Sequence, residues 1–261
     1  NSSLDDLNEQ ILNLDIQDYY SKNNDKSSLT GNVVRSIYKA KDNNLWLSTL
    51  GGVSLIKREK NRFATYCNGE SGVSSKFNFL NVQYSKQGFF WLMTDHGIYT
   101  YHSLENKLEY LVTDSDEINT LLASALEFFE DSEGNFWVNT IGGILVRKRG
   151  SEEFFSYTEG SIHKKFFQDL KVMNFFEDSK KNIWICGEMG LASINLEKEE
   201  INVHASSTYD PHNLHLETVT NGVEDEEGTL WFSILGRGLL KHQKLNGKDN
   251  FEIVKVENRA N

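Results

Sequence analysis

The stretch Glu130-Asp131-Ser132-Glu133-Gly134-Asn135-Phe136-Trp137-Val138-Asn139-Thr140-Ile141-Gly142-Gly143 reads as a turn, a short strand, a second turn and the start of another strand. Asp131 to Asn135 is polar around Gly134, which is hairpin chemistry. Phe136 to Thr140 is aromatic and β-branched, which suits a pleated, half-buried strand. Gly142-Gly143 closes it, because glycine takes positive φ without a steric cost.

The same unit recurs five times. The five tryptophans, Trp46, Trp91, Trp137, Trp184 and Trp231, are 45, 46, 47 and 47 residues apart, one per unit with none left over. Six residues before the Trp stand Ala40, Ser85, Asp131, Asp178 and Asp225. Three before stand Asn43, Gly88, Gly134, Lys181 and Gly228. The next strand opens at Gly52-Val53, Gly97-Ile98, Gly143-Ile144, Gly190-Leu191 and Gly238-Leu239, with one extra residue in the fifth turn. A period of this length belongs to propeller blades or helical arrays. Short strands between turn residues, with no 3.6-residue apolar stripe, exclude the helical array. The expected fold is all-β, a β-propeller of four-stranded antiparallel blades.

The pattern D-x-x-G-x-x-W-x-x-T-x-x-G-[VIL] resembles the two-component regulator propeller repeat, and Asp131, Gly134, Trp137, Thr140 and Gly143-Ile144 form the copy nearest to it. The resemblance covers about residues 33 to 257. It implies the periplasmic sensor region of a hybrid two-component regulator. By the same resemblance the ligand is an oligosaccharide, and the partners are the remaining propeller repeats of a parent chain and a second sensor in a homodimer. The histidine kinase would lie outside this chain. The segment itself is expected to be no enzyme; alternative readings are a propeller lyase or glycosidase acting on glycans, or an interaction scaffold.

Composition narrows the partners. The net charge is −11 over 261 residues, which disfavours nucleic acid and anionic membrane surfaces. Mean hydropathy is −0.50, and no apolar run approaches the ~20 residues of a membrane span, so no direct membrane insertion is expected. Two cysteines, Cys67 and Cys186, are no disulfide framework and read as small core residues.

In chain order, residues 1–32 read as linker and the outer strand or strands of a preceding blade, with a strand over 11–20. Five blades follow, at about 33–73, 78–117, 124–160, 171–208 and 218–257. This count does not close a ring by ordinary strand exchange, so the chain reads as part of a longer array, with a closed five- or six-bladed ring as the alternative. The lone Pro211 falls in a connecting loop.

Candidate site residues are those that depart from the repeat. The turns after the Trp strands carry Asp95 and His96, Glu188, and Arg237, where blades 1 and 3 carry Leu50 and Ile141. The loop between blades 3 and 4 adds His163 and Lys164. Loops on a rigid scaffold are the default place for a ligand, and aromatics beside carboxylates and amides suit neutral sugars. Phe77, Phe79, Phe166 and Phe167 sit at loop-to-strand boundaries, where core packing between blades is the stronger reading. Ten residues before each Trp stands a polar residue: Ser36, Asn81, Glu127, Asn174 or Asn221. This row fits a polar channel lining and fits satisfaction of backbone groups between blades equally well. No catalytic residue is assigned, because the common nucleophile, metalloprotease and phosphate-loop motifs are missing. No cofactor is implied. His212 and His215 near Asp210 are too few to make a metal site.

Overall fold

A computed structural model describes residues 19–22, 25, 27–40, 43–57, 62–66, 77–157, 163–188, 190–205, 218–245 and 248–254. Among them are five antiparallel four-stranded sheets, each a meander in chain order. Blade 1 is β1 (Val34–Lys39), β2 (Leu45–Thr49), β3 (Gly52–Lys57) and β4 (Arg62–Tyr66). Blade 2 is β5 (Phe79–Tyr84), β6 (Phe90–Thr94), β7 (Gly97–His102) and β8 (Lys107–Tyr110). Blade 3 is β9 (Glu127–Glu130), β10 (Phe136–Thr140), β11 (Gly143–Arg147) and β12 (Phe154–Ser156). Blade 4 is β13 (Val172–Glu177), β14 (Ile183–Gly187), β15 (Gly190–Asn195) and β16 (Glu200–Ala205). Blade 5 is β17 (Val219–Glu224), β18 (Leu230–Ile234), β19 (Gly238–Leu245) and β20 (Lys248–Val254). The architecture is a β-propeller. The strand expected over 11–20, Cys67 and Pro211 lie outside the described residues, apart from Tyr19 and Tyr20.

The chain divides into two compact units, residues 1–79 and 80–261. In the first, the segment before β1 packs on the β2–β3 turn. The Thr30 hydroxyl lies 2.9 Å from those of Thr49 and Ser54. A Cβ on Gly51 would meet the Thr30 carbonyl oxygen at 2.1 Å, so only glycine fits there.

The turn before each Trp strand explains the repeat. Asp131 Oδ1 accepts the N–H groups of Glu133 and Asn135 at 3.0 and 2.8 Å, while Oδ2 accepts the Trp137 indole N–H at 2.9 Å. Asp178 does the same for Lys180, Asn182 and Trp184, and Asp225 for Glu227, Thr229 and Trp231. The position three before the Trp has positive φ in every blade, from 63° at Asn43 to 93° at Gly88. That conformation favours glycine and tolerates Asn. After the strand, the Thr49, Thr94 and Thr140 hydroxyls donate to the carbonyls of Gly52, Gly97 and Gly143.

Blade 2 departs from this scheme. Ser85 replaces the Asp, and the Trp91 indole N–H donates instead to Glu130 Oε2 of blade 3, at 2.6 Å. Glu130 Oε1 also accepts the Lys86 N–H at 2.8 Å. This is one copy of a carboxylate clamp between blades. Glu177 accepts the Ser132 N–H at 2.5 Å and its hydroxyl at 2.6 Å. Glu224 accepts the Ser179 N–H at 2.6 Å and its hydroxyl at 2.7 Å. Each Glu stands seven residues before its Trp and holds the turn of the preceding blade.

Apolar packing follows the same direction. The Trp of one blade is buried against the next: Trp91 with Phe136 and Val138, Trp137 with Phe175 and Ile185, Trp184 with Val219 and Phe232. Trp91 stacks on Phe136 with ring centroids 3.9 Å apart. Cys186 is a buried free thiol in the last of these seams, and burial pushes its pKa up.

Among the described residues two short helices, unexpected from the sequence, fill loops between blades. α1 (Asp116–Ala123) is capped by the Ser115 hydroxyl, which accepts the Ile118 N–H, and buries Leu122 in the seam of blades 2 and 3. α2 (Lys164–Asp169) buries Phe167 between blades 3 and 4. Neither has the length to announce a helix by periodicity. Phe79 and Phe167 are core residues, as the packing reading expects.

Asp178→Ala removes the acceptor of four N–H groups, one of them a buried indole, and should cost about 3 kcal/mol of unfolding free energy. Ser85→Asp, which restores the repeat, should destabilise rather than stabilise, because the new carboxylate meets Glu130 at one indole N–H. Denaturant midpoints check both; a stabilising Ser85→Asp contradicts the assignment of Glu130 to Trp91.

Candidate functional site

The antiparallel register gathers the variable positions. In each blade the end of the Trp strand pairs with the start of the innermost strand, as Gly187 does with Val172 and Ile234 with Val219. The turn after the Trp strand and the loop entering the blade therefore share one end of that blade. Backbone bonds join them: the Glu188 N–H donates to Leu170 O at 2.8 Å, and the Leu235 N–H to Thr218 O at 2.9 Å. Asp95, His96, Glu188 and Arg237 occupy such turns, and His163 and Lys164 begin α2 in such a loop.

Two side-chain pairings stand at these turns. His96 Nδ1 lies 2.7 Å from Asp95 Oδ1, in an exposed turn held by the His96 N–H donating to Thr94 Oγ1 at 3.0 Å. Glu188 Oε2 accepts from Lys171 Nζ at 2.7 Å. That bond holds the Lys171 ammonium above its usual pKa. Lys171 escaped the sequence reading; its backbone takes φ +45° immediately before β13, which only the structure shows. Arg237 is exposed beside Gly236, and His163 precedes the first residue of α2 without capping it by its side chain.

Blade 2 sets an aromatic pair beside its turn. Tyr99 and Tyr110 meet edge to face with centroids 5.0 Å apart, next to the Asp95–His96 turn. Tyr110 crowds Gly97 so closely that a Cβ there would meet its ring and hydroxyl at 2.8 Å. Burial, Tyr110 and Asp95 together raise the Tyr99 pKa. A half-exposed aromatic pair thus stands beside a carboxylate and an imidazole. A second feature is a groove of about 570 Å³ between the start of α1 and the β11–β12 turn. It is lined by Val112, Thr113, Asp114, Ser115, Ile118, Glu152, Glu153 and Phe154. Among the described residues no group of three or more His, Cys, Asp or Glu is arranged to hold a metal.

The polar row ten before each Trp has a local task. β1, β13 and β17 shift register beside Ser36, Asn174 and Asn221, as a β-bulge does. Asn81, Glu127 and Asn221 accept the N–H of the residue that follows, at 2.7, 3.0 and 2.7 Å. Glu127 also accepts from Asn81 Nδ2 at 2.6 Å, across two blades. Desolvation outweighs these bonds and raises its pKa to about 7.

The folded-state pKa of Glu127 therefore lies above its unfolded value of 4.5. Its contribution to stability is fully present below pH 4.5 and is lost as pH rises through about 7. Glu127→Gln keeps both acceptor contacts and should gain on the order of 1–3 kcal/mol at pH 8 with no gain at pH 4. Thermal unfolding of both proteins across that range checks it, and a constant difference contradicts it.

Comparisons with known proteins agree with this architecture. Residues 28–51 match the family model described as two component regulator propeller. The extracellular domain described as that of a hybrid two component system from B. thetaiotaomicron superposes with TM-score 0.64 at 16% identity, over 85% of this chain and 28% of that one. A second such domain from the same organism gives 0.56 at 15%, over 93% and 35%. Virginiamycin B lyase from Staphylococcus aureus gives 0.59 at 13%, over 94% and 76%. The chain spans about 28% of the length of the first of these. A search of curated proteins finds none that matches. Identities this low speak for the fold alone. Among the described residues no helix is long and apolar enough to cross a membrane. The fold is thus that of a β-propeller, and within it residues 28–51 are similar to one two-component regulator propeller repeat.

Proposed function

We propose that the chain is a ligand-sensing, periplasmic propeller segment of a hybrid two-component signalling protein, and that it binds an oligosaccharide and relays binding to a histidine kinase. The reading rests on one observation. A repeat that fixes its own turns through Asp, Gly, Thr and Trp departs from itself at turns gathered at the strand ends. In blade 2 the departure sets Asp95 and His96 beside Tyr99 and Tyr110. An aromatic face packs against the C–H side of a sugar ring, and the carboxylate and imidazole take its hydroxyls. The Lys171–Glu188 pair, Arg237, His163 and Lys164 extend the polar surface on blades 4 and 5 and the loop before blade 4. The relay works by population shift: the ligand favours one packing of paired sensors and so biases the kinase.

Calorimetry with a panel of neutral and acidic oligosaccharides should give saturable binding for at least one. Tyr110→Ala and Asp95→Ala should each weaken it by about tenfold, the loss of roughly one stacking or charged hydrogen-bond contact. Leu104→Ala, at a fully exposed residue of the β7–β8 turn, should leave it unchanged. No saturable heat across the panel, or affinity indifferent to Tyr110 and Asp95, discards the reading. Turnover of the bound glycan that is lost in His96→Ala would instead make the segment an enzyme.

A further inference from the structure

Blade 5 carries exposed apolar residues on one face, Val223 and Leu239. The residue after the glycine that opens the third strand is Ile98, Ile144 or Leu191 in blades 2 to 4, each at most 1% exposed, whereas Leu239 is 46% exposed. Eight residues before the Trp, Phe129 and Phe176 pack into the seams ahead of them, while Val223 is 59% exposed. A pocket of about 220 Å³ opens between Val223, Trp231, Ser233 and Leu239. Lys241 lies over the Trp231 ring at 5.6 Å. This surface continues the three seams already described, in the same direction along the chain.

Its charge differs from theirs. The turn that offers its N–H to the clamp carries Lys86, Ser132 and Ser179 at the internal seams, and each meets a Glu. In blade 5 that position is Glu226, an exposed carboxylate. A Glu from a further blade would meet like charge at hydrogen-bond range, which is destabilising. A Lys or Arg would find both the Glu226 side chain and an apolar bed.

We propose that the open face of blade 5 docks one further Trp-repeat blade, and that this blade carries Lys or Arg, not Glu, seven residues before its tryptophan. The seam is thus an inverted clamp, with the acidic partner on the turn and the basic one on the incoming strand. Charge at this position then decides which blade can follow blade 5. The inference is independent of the ligand proposed above.

The test appends a second copy of residues 158–205 to the C-terminus of the full chain, with Lys, Glu or Ser in the copy at the position of Glu177. Hydroxyl-radical footprinting then reads Val223, Trp231 and Leu239. The Lys copy should lower their labelling severalfold, and the Glu copy should leave it near that of the unextended chain at low salt. In a Glu226→Ser background the order reverses, because the internal Ser–Glu clamp is rebuilt. Labelling that stays high for every copy in both backgrounds overturns the docking face. Equal protection by the Lys and Glu copies overturns the charge rule.

Discussion

A buried indole N–H needs an acceptor, and blades 2 to 5 are arranged around supplying one. In blades 3, 4 and 5 the acceptor is an aspartate six residues earlier, whose other oxygen organises the turn. In blade 2 the acceptor comes from the neighbouring blade, as Glu130. The two solutions are chemically equivalent but differ in consequence. An aspartate of the same blade makes the unit self-sufficient, whereas Glu130 makes the burial of Trp91 depend on the presence of blade 3. Local turn chemistry and blade-to-blade assembly are joined through single carboxylates.

The clamps give the seams a direction. Trp91, Trp137 and Trp184 look toward the following blade, and each clamp glutamate reaches back to the preceding turn. Apolar burial supplies most of the attraction, being proportional to the area removed from water. The charged hydrogen bonds add register, since a carboxylate accepting from one turn N–H fixes how far one sheet slides along the next. A scaffold fixed this way can vary its strand-end turns at little cost to stability, and Asp95–His96, Lys171–Glu188 and Arg237 are where it does so.

Much of the architecture was legible in the sequence because its causes are local. The positive-φ turn position and the Asp-to-Trp spacing act within about ten residues, so they leave a trace repeated with the Trp period. The clamp glutamates left a weaker trace. The position reads Lys39, Tyr84, Glu130, Glu177 and Glu224, and its meaning depends on a partner about 45 residues back. Tyr99 and Tyr110 escaped for a similar reason: they meet only through strand pairing, and neither departs from ordinary β composition. The polar row ten before each Trp was read as a channel lining or as partners for backbone groups between blades; Asn81, Glu127 and Asn221 instead accept the N–H of their own next residue, a bond that spacing alone does not reveal.

The most direct measurement is native-state hydrogen exchange of the turn amides at Lys86, Ser132, Ser179 and Glu226. If carboxylate clamps hold the seams, the first three amides exchange as slowly as the strands they join, and Glu226 exchanges orders of magnitude faster. Glu177→Ala should release Ser132 and leave Lys86 protected. Four amides of equal protection, or a Ser132 amide unmoved by Glu177→Ala, would contradict the account.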